Sequence, residues 1–490
     1  MGELLNIRRL RTASLALSSL FLFGCAASAP PFSNPLSATA PGEYVTVGAA
    51  LGGPNQDWTK SFKDRKLNQL IEEVYDNNHD LKAAVARVDQ AAATARFERG
   101  DRIPSLETNF NGSRQQQAFI GFPFGSDGEA ADTGAPAKSR SNQFGVSLDL
   151  SWELDLWGRI RAGESAFIAQ AQAAGFDHDS LRVSLAAQTA KAWFALVEAN
   201  QQLALAEESV ESFEDSQEII RDQFKLADQS GAQVRLSMAD AENAKATLEQ
   251  RKEELKVATR QLEILLGRYP AGELKAADSL PTLPKPPPSG LPSELLYRRA
   301  DLAAAERRIA ASNREVKEAK LALLPRISLT GSAGTATDDI GKVLEIPDFG
   351  VWSIATRATQ TLIASGKTLA EVARRNAVVA ESLANYQSTA LTAFSEVENA
   401  LTAEQTLLAR EGALDRADRL LEEAYERAKQ EYRDGVGDVL TILTAQRQLI
   451  TTRSQLLTVR RARLDNRVNL HLALGGDFDS RRNVDKAISS

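Results

Sequence analysis

The chain has 490 residues, of which 43% are hydrophobic, and a formal net charge of −7 at pH 7. Its single cysteine excludes a disulfide framework, and its three histidines are far apart in sequence, without the spacing of a metal site. Neither a basic tract nor a known catalytic motif is present, so the sequence indicates neither a nucleic-acid-binding protein nor an enzyme, and we expect no cofactor.

The N-terminal residues are typical of an export signal. Three arginines precede an uncharged, mostly apolar run from Ala13 to Phe23, and small residues follow this run. A basic head, about ten apolar residues and small residues in this order define a secretory signal peptide, which we assign to residues 1–24. The run is too short to span a bilayer as a helix, which needs roughly 20 residues.

Cys25 stands at the end of this apolar run. Together with Leu22, Phe23 and Gly24 it resembles a bacterial lipobox, in which the cysteine thiol is acylated, for example with palmitate, and becomes the mature N-terminus. We therefore predict a lipid-anchored N-terminal segment over residues 25–60, held at the outer membrane of a Gram-negative bacterium. The alternative is cleavage after residues 27–29, Ala-Ser-Ala, which would remove Cys25.

The remainder of the chain contains an internal two-fold repeat. A helical pattern begins at Asp80 and another at Asp301, and each reaches a proline 24 positions later, where a strand-like pattern follows. The glycines Gly158 and Gly366 are further matching landmarks. The predicted segments are repeat 1 (61–268), a Pro-rich linker (269–292), repeat 2 (293–476) and a C-terminal tail (477–490).

Each repeat is predicted to contain a helix, two strands and two long helices. Residues 158–224 contain no proline, and 366–432 are similar, so each stretch is expected to form a rod of roughly 100 Å. Apolar residues recur in alternating steps of four and three from Leu185, which is typical of a coiled-coil seam. Gly231 and Gly435 stand where consecutive long helices meet, at turns that favour a positive φ.

Alternating apolar and polar residues predict the strands. Residues 142–155 place Phe144, Val146 and Leu148 on one face, and residues 105–113, 326–334 and 349–359 show weaker alternation. The length suits the about 9–11 residues of a tilted transmembrane strand, although a soluble two-faced sheet also explains alternation alone. Four strands cannot close a barrel, and open edges are not tolerated in lipid, so we expect an oligomer.

Three segments carry a family resemblance: Trp58–Leu81, residues 324–331 ("LPRISLTG") and, most specifically, Gly290–Leu302 ("GLPSELLYRRADL"). Through them nearly the whole mature chain resembles TolC-type outer-membrane factors, and more narrowly the outer-membrane efflux lipoproteins of the OprM or NodT group. Ala300 stands where that family usually has proline.

The resemblance implies a mixed, mainly α fold: a long α-helical barrel of coiled-coil helices joined to a transmembrane β-barrel, with four strands per chain and closure by a homotrimer. The implied function is the exit channel of a tripartite efflux system for small molecules. The implied partners are a periplasmic adaptor and an inner-membrane pump, which we expect to be proton-driven. The alternatives are the channel of a type I protein secretion system and a non-conducting structural envelope lipoprotein.

The resemblance also places functional residues at the helix tips. Adaptor contact is expected at Gly231, Gly435, Val436 and Gly437. The family often carries acidic residues just after the second tip glycine, where this chain has Thr441 and Thr444, whereas the tyrosine before the tip is present as Tyr432. These three residues are gate candidates.

Asp438 and Asp240 are further gate candidates. On a helix, Asp438 lies about 160° from Leu440. We therefore expect Asp438 to face the lumen or solvent, opposite an apolar side formed by Val436, Leu440 and Leu443. Three copies of Asp438, with Asp240 from the first repeat, would form a negative ring near the usual place, whereas the alternative is that Asp438 is an ordinary solvated carboxylate.

Overall fold

The computed structural model describes Tyr44, Val45 and residues 58–119, 137–226, 231–288, 290, 292–363 and 365–478. Within these residues the chain consists mainly of helices, with strands confined to two pairs. It begins with a short 3-10 helix, Trp58–Phe62, followed by α1 (Arg65–Asn77) and α2 (His79–Gly100). The predicted signal peptide and Cys25 lie outside the described residues.

The strands form one antiparallel sheet in the order β1-β2-β3-β4. Their bounds are Ser105–Phe119, Ala137–Glu153, Arg326–Thr335 and Gly350–Thr359. A 3-10 turn, Ile340–Lys342, and a one-turn helix, α7 (Ile346–Phe349), connect β3 to β4. All four predicted strands are confirmed.

β1 and β2 extend beyond their alternating stretches. Their register continues to the pair Phe119 and Ala137. Polar cross-strand contacts support the added length, because Arg140 Nε donates to Gln116 Oε1 at 2.7 Å. Alternation therefore located the strands but underestimated how far they run.

Two very long helices follow the strand pairs. They are α3 (Arg159–Leu226), with 68 residues, and α8 (Lys367–Arg433), with 67 residues, so each is about 100 Å long. Both predicted rods are confirmed. Along α3 the predicted seam residues from Leu185 to Ile220 are buried or half-buried, whereas Phe224 at the far end is exposed.

Each long helix is followed by a shorter one. The second helices are α4 (Gly231–Leu265) and α9 (Val439–Ala473), with 35 residues each. Between the two halves, α5 (Pro292–Arg298) and α6 (Ala300–Leu321) precede β3. In chain order each half therefore gives helices, two strands, a long helix and a 35-residue helix.

A large apolar cluster lies where the N-terminal helices meet the long ones. Trp58, Phe62, Trp193 and Phe194 are all buried there, and Val468 of α9 joins them. Packing of large aromatic side chains contributes much of the apolar burial at this level of the helices. The cluster therefore joins α3 to the beginning of the described chain and to the end of α9.

Asp64 positions α1 against this cluster. Its Oδ1 accepts hydrogen bonds from the amides of Lys66 and Leu67, which caps the helix, and its Oδ2 accepts one from Trp193 Nε1 at 2.7 Å. One carboxylate therefore both starts α1 and ties it to α3.

The Pro-rich linker is irregular but anchored. Glu263 of α4 accepts hydrogen bonds from the amides of Gly272, Glu273 and Leu274, at 2.7, 2.9 and 3.1 Å. These bonds hold the pKa of Glu263 below its usual value, against the effect of burial. Further along, Arg467 of α9 donates to the carbonyl of Pro284. The extended linker is therefore attached to the helices at both points.

Among the helices in the described ranges, none combines the length and apolar character that a membrane-spanning helix requires.

Candidate functional site

The sheet has two chemically different faces. Cross-strand neighbours on one face are apolar and exposed, and they include Leu106, Phe110, Leu148, Trp352 and Ile354. Trp352 is 79% exposed, which is unusual for so large an apolar side chain. An exposed apolar band of this kind marks a surface that contacts lipid or another protein.

The opposite face is polar and internally hydrogen-bonded. Asp149 Oδ2 accepts hydrogen bonds from Asn109 Nδ2 at 2.7 Å and from Ser147 Oγ at 2.9 Å. This cross-strand network favours contact with water, because a carboxylate is costly to place against lipid. The predicted two-faced pattern of β2 is therefore present across the sheet.

The turn between α8 and α9 is a Schellman motif. The amide of Val436 donates to the carbonyl of Glu431 and the amide of Gly435 to the carbonyl of Tyr432, each at 3.0 Å. Gly435 has a φ of +77°, as the motif requires. The expected positive-φ turn is confirmed at Gly435.

Gly437 is fixed by a different constraint. A Cβ at this position would lie 2.6 Å from the Tyr432 amide nitrogen and 2.9 Å from the Glu431 carbonyl carbon. Those neighbours are backbone atoms, which cannot rotate away. The turn therefore needs glycine at 437 for close packing and at 435 for its φ.

The prediction for Gly231 is wrong in one respect. Gly231 is the first residue of α4, where the backbone is helical, and a Cβ there would meet no atom within 4 Å. The turn before it, residues 227–230, lies outside the described residues. The tip glycines of the two repeats therefore differ in position. Gly231 is the first residue of α4, whereas Gly435 follows the end of α8.

Tyr432 is part of a buried cluster at the second tip. It is 3% exposed and packs with Tyr425, Ile220, Val439 and Leu443. Burial raises the pKa of the Tyr432 phenol, and the nearby Asp438 carboxylate raises it further. Tyr432 thus stays neutral and holds α8 to α9 just before the turn.

Asp438, Thr441 and Thr444 are all exposed on the described chain. Asp438 occupies the N-cap position of α9, but its side chain makes no capping hydrogen bond. Its carboxylate is therefore uncommitted and faces outward, in agreement with the expected orientation.

The expected apolar side next to Asp438 is wrong. Val436 and Leu440 are 81% and 57% exposed, whereas Leu443 is fully buried together with Val439 and Ile442. For Val436 the reason is that α9 starts only at Val439, so the helical rotation cannot be extended back to 436. Leu440 is within α9 but on the side away from Val439, Ile442 and Leu443. The packed face of α9 is consequently set by residues 439, 442 and 443.

Asp240 lies at a different place from Asp438. Its Oδ2 is 3.7 Å from Arg447 Nε, and its side chain is only 14% exposed. Asp240 and Arg447 line a cavity of about 340 Å³ between α3, α4 and α9. Arg447 is nine residues beyond Asp438, about 13 Å along the helix, so the structure does not bring the two aspartates together.

A series of ion pairs between α8 and α9, here called the ionic ladder, was not predicted from the sequence. Arg453 contacts Asp418 at 3.2 Å, Arg460 contacts Glu411 at 3.4 Å, and Arg467 contacts Glu404 at 2.6 Å. The arginines are seven residues apart, as are the acids, so every rung recurs after two helical turns. This shared heptad spacing is the signal that the sequence offered.

The described residues contain no group of three or more His, Cys, Asp or Glu side chains that could hold a metal ion.

Comparison with known proteins identifies the family. The sequence model described as "Outer membrane efflux protein" matches residues 70–268 and 291–476. "Toluene efflux pump outer membrane protein TtgF" of Pseudomonas putida is 30% identical over 483 residues, covering 95% of this chain and 97% of the relative. "Cation efflux system protein CusC" of Escherichia coli O6:H1 is 28% identical over 468 residues, covering 94% and 97%.

A solved structure agrees with these relatives. The outer-membrane channel OprN superposes with a TM-score of 0.81 at 27% identity, covering 92% of this chain and 99% of OprN. The predicted resemblance, efflux function and outer-membrane location are thereby confirmed, and the relatives are channel proteins of efflux systems rather than enzymes. The chain belongs to the outer membrane efflux protein family.

Proposed function

We propose that three copies of this chain form the exit duct of a tripartite efflux system. The observation that carries this proposal is the open sheet. Among the described strands, β1 and β4 are the ends of the order β1-β2-β3-β4, and β4 is exposed along its whole length. Lipid offers no partner for unpaired backbone groups, so other chains must supply the missing strands. Three copies contribute twelve strands, closed by pairing β4 of one chain with β1 of the next.

The two faces of the sheet fit this arrangement. The apolar band with Trp352 and Ile354 faces lipid, and the polar face with Asp149 lines the lumen. The long helices α3 and α8 continue from the sheet into the periplasm as a helical wall. The equal lengths of α4 and α9, and the near-equal lengths of α3 and α8, support the internal repeat with segments 61–268 and 293–476.

The cargo is proposed to be small molecules selected by the pump. TtgF is named for toluene and CusC for cations, although both are about equally similar to this chain. A wide passive duct serves chemically different cargo without binding it. The proposed pump is driven by protons, and a periplasmic adaptor joins it to the helix tips at Gly231 and at residues 435–437.

The anchor and gate complete the proposal. Cys25 carries the lipid, so segment 25–60 is tethered to the outer membrane, which reinforces insertion of the barrel. At the tips, three Asp438 carboxylates form the negative ring, with Tyr432 holding each helix pair beside it. Thr441 and Thr444 contribute no charge, and Asp240 is excluded from this ring by its contact with Arg447.

A disulfide scan tests closure between chains. In a Cys25→Ser background, which has no cysteine, Asn109→Cys in β1 is combined with cysteine at successive positions of β4 from 351 to 357. Within one chain β1 and β4 are three strand spacings apart, about 14 Å, beyond the roughly 7 Å limit for a disulfide. We expect covalent dimers and trimers for at least one pair.

The control is Asn109→Cys alone, which should give no covalent trimer. A scan in which every pair remains monomeric contradicts closure by pairing of β1 with β4. Oxidised species larger than trimers contradict the number three.

A further inference from the structure

A groove between α3, α8 and α9 is the starting point. Its volume is about 230 Å³. α3 and α8 supply its charged walls, and Gln446, Leu449 and Ile450 of α9 supply much of its floor. We call it the acidic groove. It adjoins the Asp240 cavity, with which it shares Leu205, Ser209 and Ile450, and it contains none of the tip-turn residues 435–438.

Carboxylates outnumber cations in the acidic groove. Five carboxylates line it, against Lys429 and Arg453. Arg453 is already engaged by Glu208, Asp418 and Glu422, and the Lys429 ammonium lies 5.5 Å from the centre of the Tyr425 ring. The groove therefore has surplus negative charge.

Three of the lining carboxylates are uncommitted. Glu211 and Asp215 of α3 and Glu426 of α8 are exposed, and none of them forms an ion pair with another described residue. Glu211 and Asp215 are four residues apart, so they lie on the same face of α3. Free carboxylates consequently stand on both walls.

Gln446 provides an independent sign of a ligand. It is 1% exposed, its Nε2 donates to Ser212 Oγ at 2.9 Å, and its Oε1 has no hydrogen-bond partner among the described residues. Buried amide oxygens nearly always accept a hydrogen bond. Because Gln446 lines the acidic groove, an acceptor that lacks a donor lies just beneath its floor.

A metal ion does not fit the acidic groove. No group of three metal-ligating side chains occurs in the described ranges, and the free carboxylates are divided between two helices. An extended cation with several N–H donors fits this distribution better than a point charge. Such a molecule can reach both walls while one of its ammonium groups points at the floor.

We propose that the acidic groove binds a linear alkyl polyamine. One ammonium group donates to Gln446 Oε1, and the others pair with the carboxylates of Glu211, Asp215 and Glu426. The apolar side chains of Leu449 and Ile450 contact the methylene segments. The groove thus acts as a ligand site on the helical wall, independent of the gate and of the adaptor contact.

Calorimetric titration of the full-length protein in detergent with spermidine tests this site. The wild type should bind one spermidine per chain. Glu211→Gln/Asp215→Asn/Glu426→Gln should weaken binding about tenfold, as expected for the loss of three exposed charge pairs. Gln446→Leu should weaken it about fivefold, as expected for one lost hydrogen bond. Gln446→Glu keeps an acceptor and should bind at least as tightly as the wild type.

The matched control is Glu207→Gln/Glu218→Gln/Glu423→Gln. It removes the same charge from exposed positions of α3 and α8 that do not line the groove. If this control weakens binding as much as the groove variant, the attraction is unspecific and the proposal is wrong. Absence of spermidine binding, or binding only of a lysine-rich helical peptide, also overturns it, and the latter would make the groove a protein-docking surface.

Discussion

The backbone of Gly437 approaches the amide nitrogen of Tyr432 so closely that a Cβ at position 437 would stand only 2.6 Å from it. This contact, together with the φ of +77° at Gly435, folds the chain back between α8 and α9. The second helix tip is therefore specified by two glycines with different physical requirements.

The geometry of the second tip predicts that substitutions at Gly435 and Gly437 disturb the turn for different reasons. Gly435→Val should destabilise the turn by about 1–3 kcal/mol, because a β-branched residue is strained at this φ. Gly437→Ala should displace the turn, because its Cβ meets backbone atoms. Both should reduce crosslinking of a probe at Val436 to the adaptor, relative to the control Gly175→Ala, a glycine within α3 where a Cβ would meet no atom within 4 Å. Unchanged crosslinking with unchanged efflux counts against adaptor contact at this tip.

The gate prediction concerns Asp438. Asp438→Asn should reduce cation selectivity and block by multivalent cations in bilayer recordings, because three exposed carboxylates are lost from one ring. Asp240→Asn should leave both properties unchanged, because that carboxylate contacts Arg447 in a separate cavity. Equal effects of the two changes would show that both aspartates belong to one ring, and no effect of Asp438→Asn would exclude the ring.

A buried histidine predicts acid sensitivity. His471 is 3% exposed, is stacked on Trp58 with ring centres 5.5 Å apart, and has no hydrogen-bond partner for either ring nitrogen among the described residues. Burial, with a smaller effect of Arg467, lowers the pKa of His471 from 6.5 to about 4. The unfolded chain therefore binds a proton at higher pH than the folded one.

His471 therefore contributes about 3 kcal/mol to the free energy of unfolding. This contribution is complete above pH 6.5 and is lost as the pH falls towards 4. His471→Gln should therefore flatten the fall in thermal unfolding temperature across this range, measured by circular dichroism in detergent. His178→Gln, at a partly exposed histidine, is the control. An unchanged pH profile in His471→Gln would assign the acid sensitivity to other groups.

The lipid prediction concerns Cys25. Wild-type protein should incorporate radioactive palmitate and Cys25→Ser should not, because the chain has no other cysteine. The mass of the mature N-terminus provides the control. An unlabelled wild type that begins after Ala29 would instead establish ordinary signal cleavage and exclude a lipid anchor at Cys25.

The elements were predictable because their signals are local. Alternation located all four strands, and the long proline-free stretches located α3 and α8. The contacts between helices were harder to predict from the sequence, because pairs such as Arg467 and Glu404 are 63 residues apart. The orientation of residues around the helix was also predicted wrongly here: Val436 precedes the start of α9 at Val439, and Leu440 lies on the exposed side of α9.

The candidate site was predictable in part. A tip glycine with positive φ follows from the turn between two helices, which explains the success at Gly435. Gly231 shows the opposite case, because a glycine at a helix start looks the same in sequence as one at a helix end. The outward position of Asp438 was correct, whereas the engagement of Asp240 by Arg447 depends on how α4 and α9 pack.

Closure of one duct by three chains can be measured as the conductance of size-separated protein in planar bilayers. If three chains close one duct, the trimeric fraction should form discrete ion-conducting channels, and monomer isolated from the same preparation should form none. Conducting monomers, or trimers that insert without conducting, would contradict a duct closed between chains.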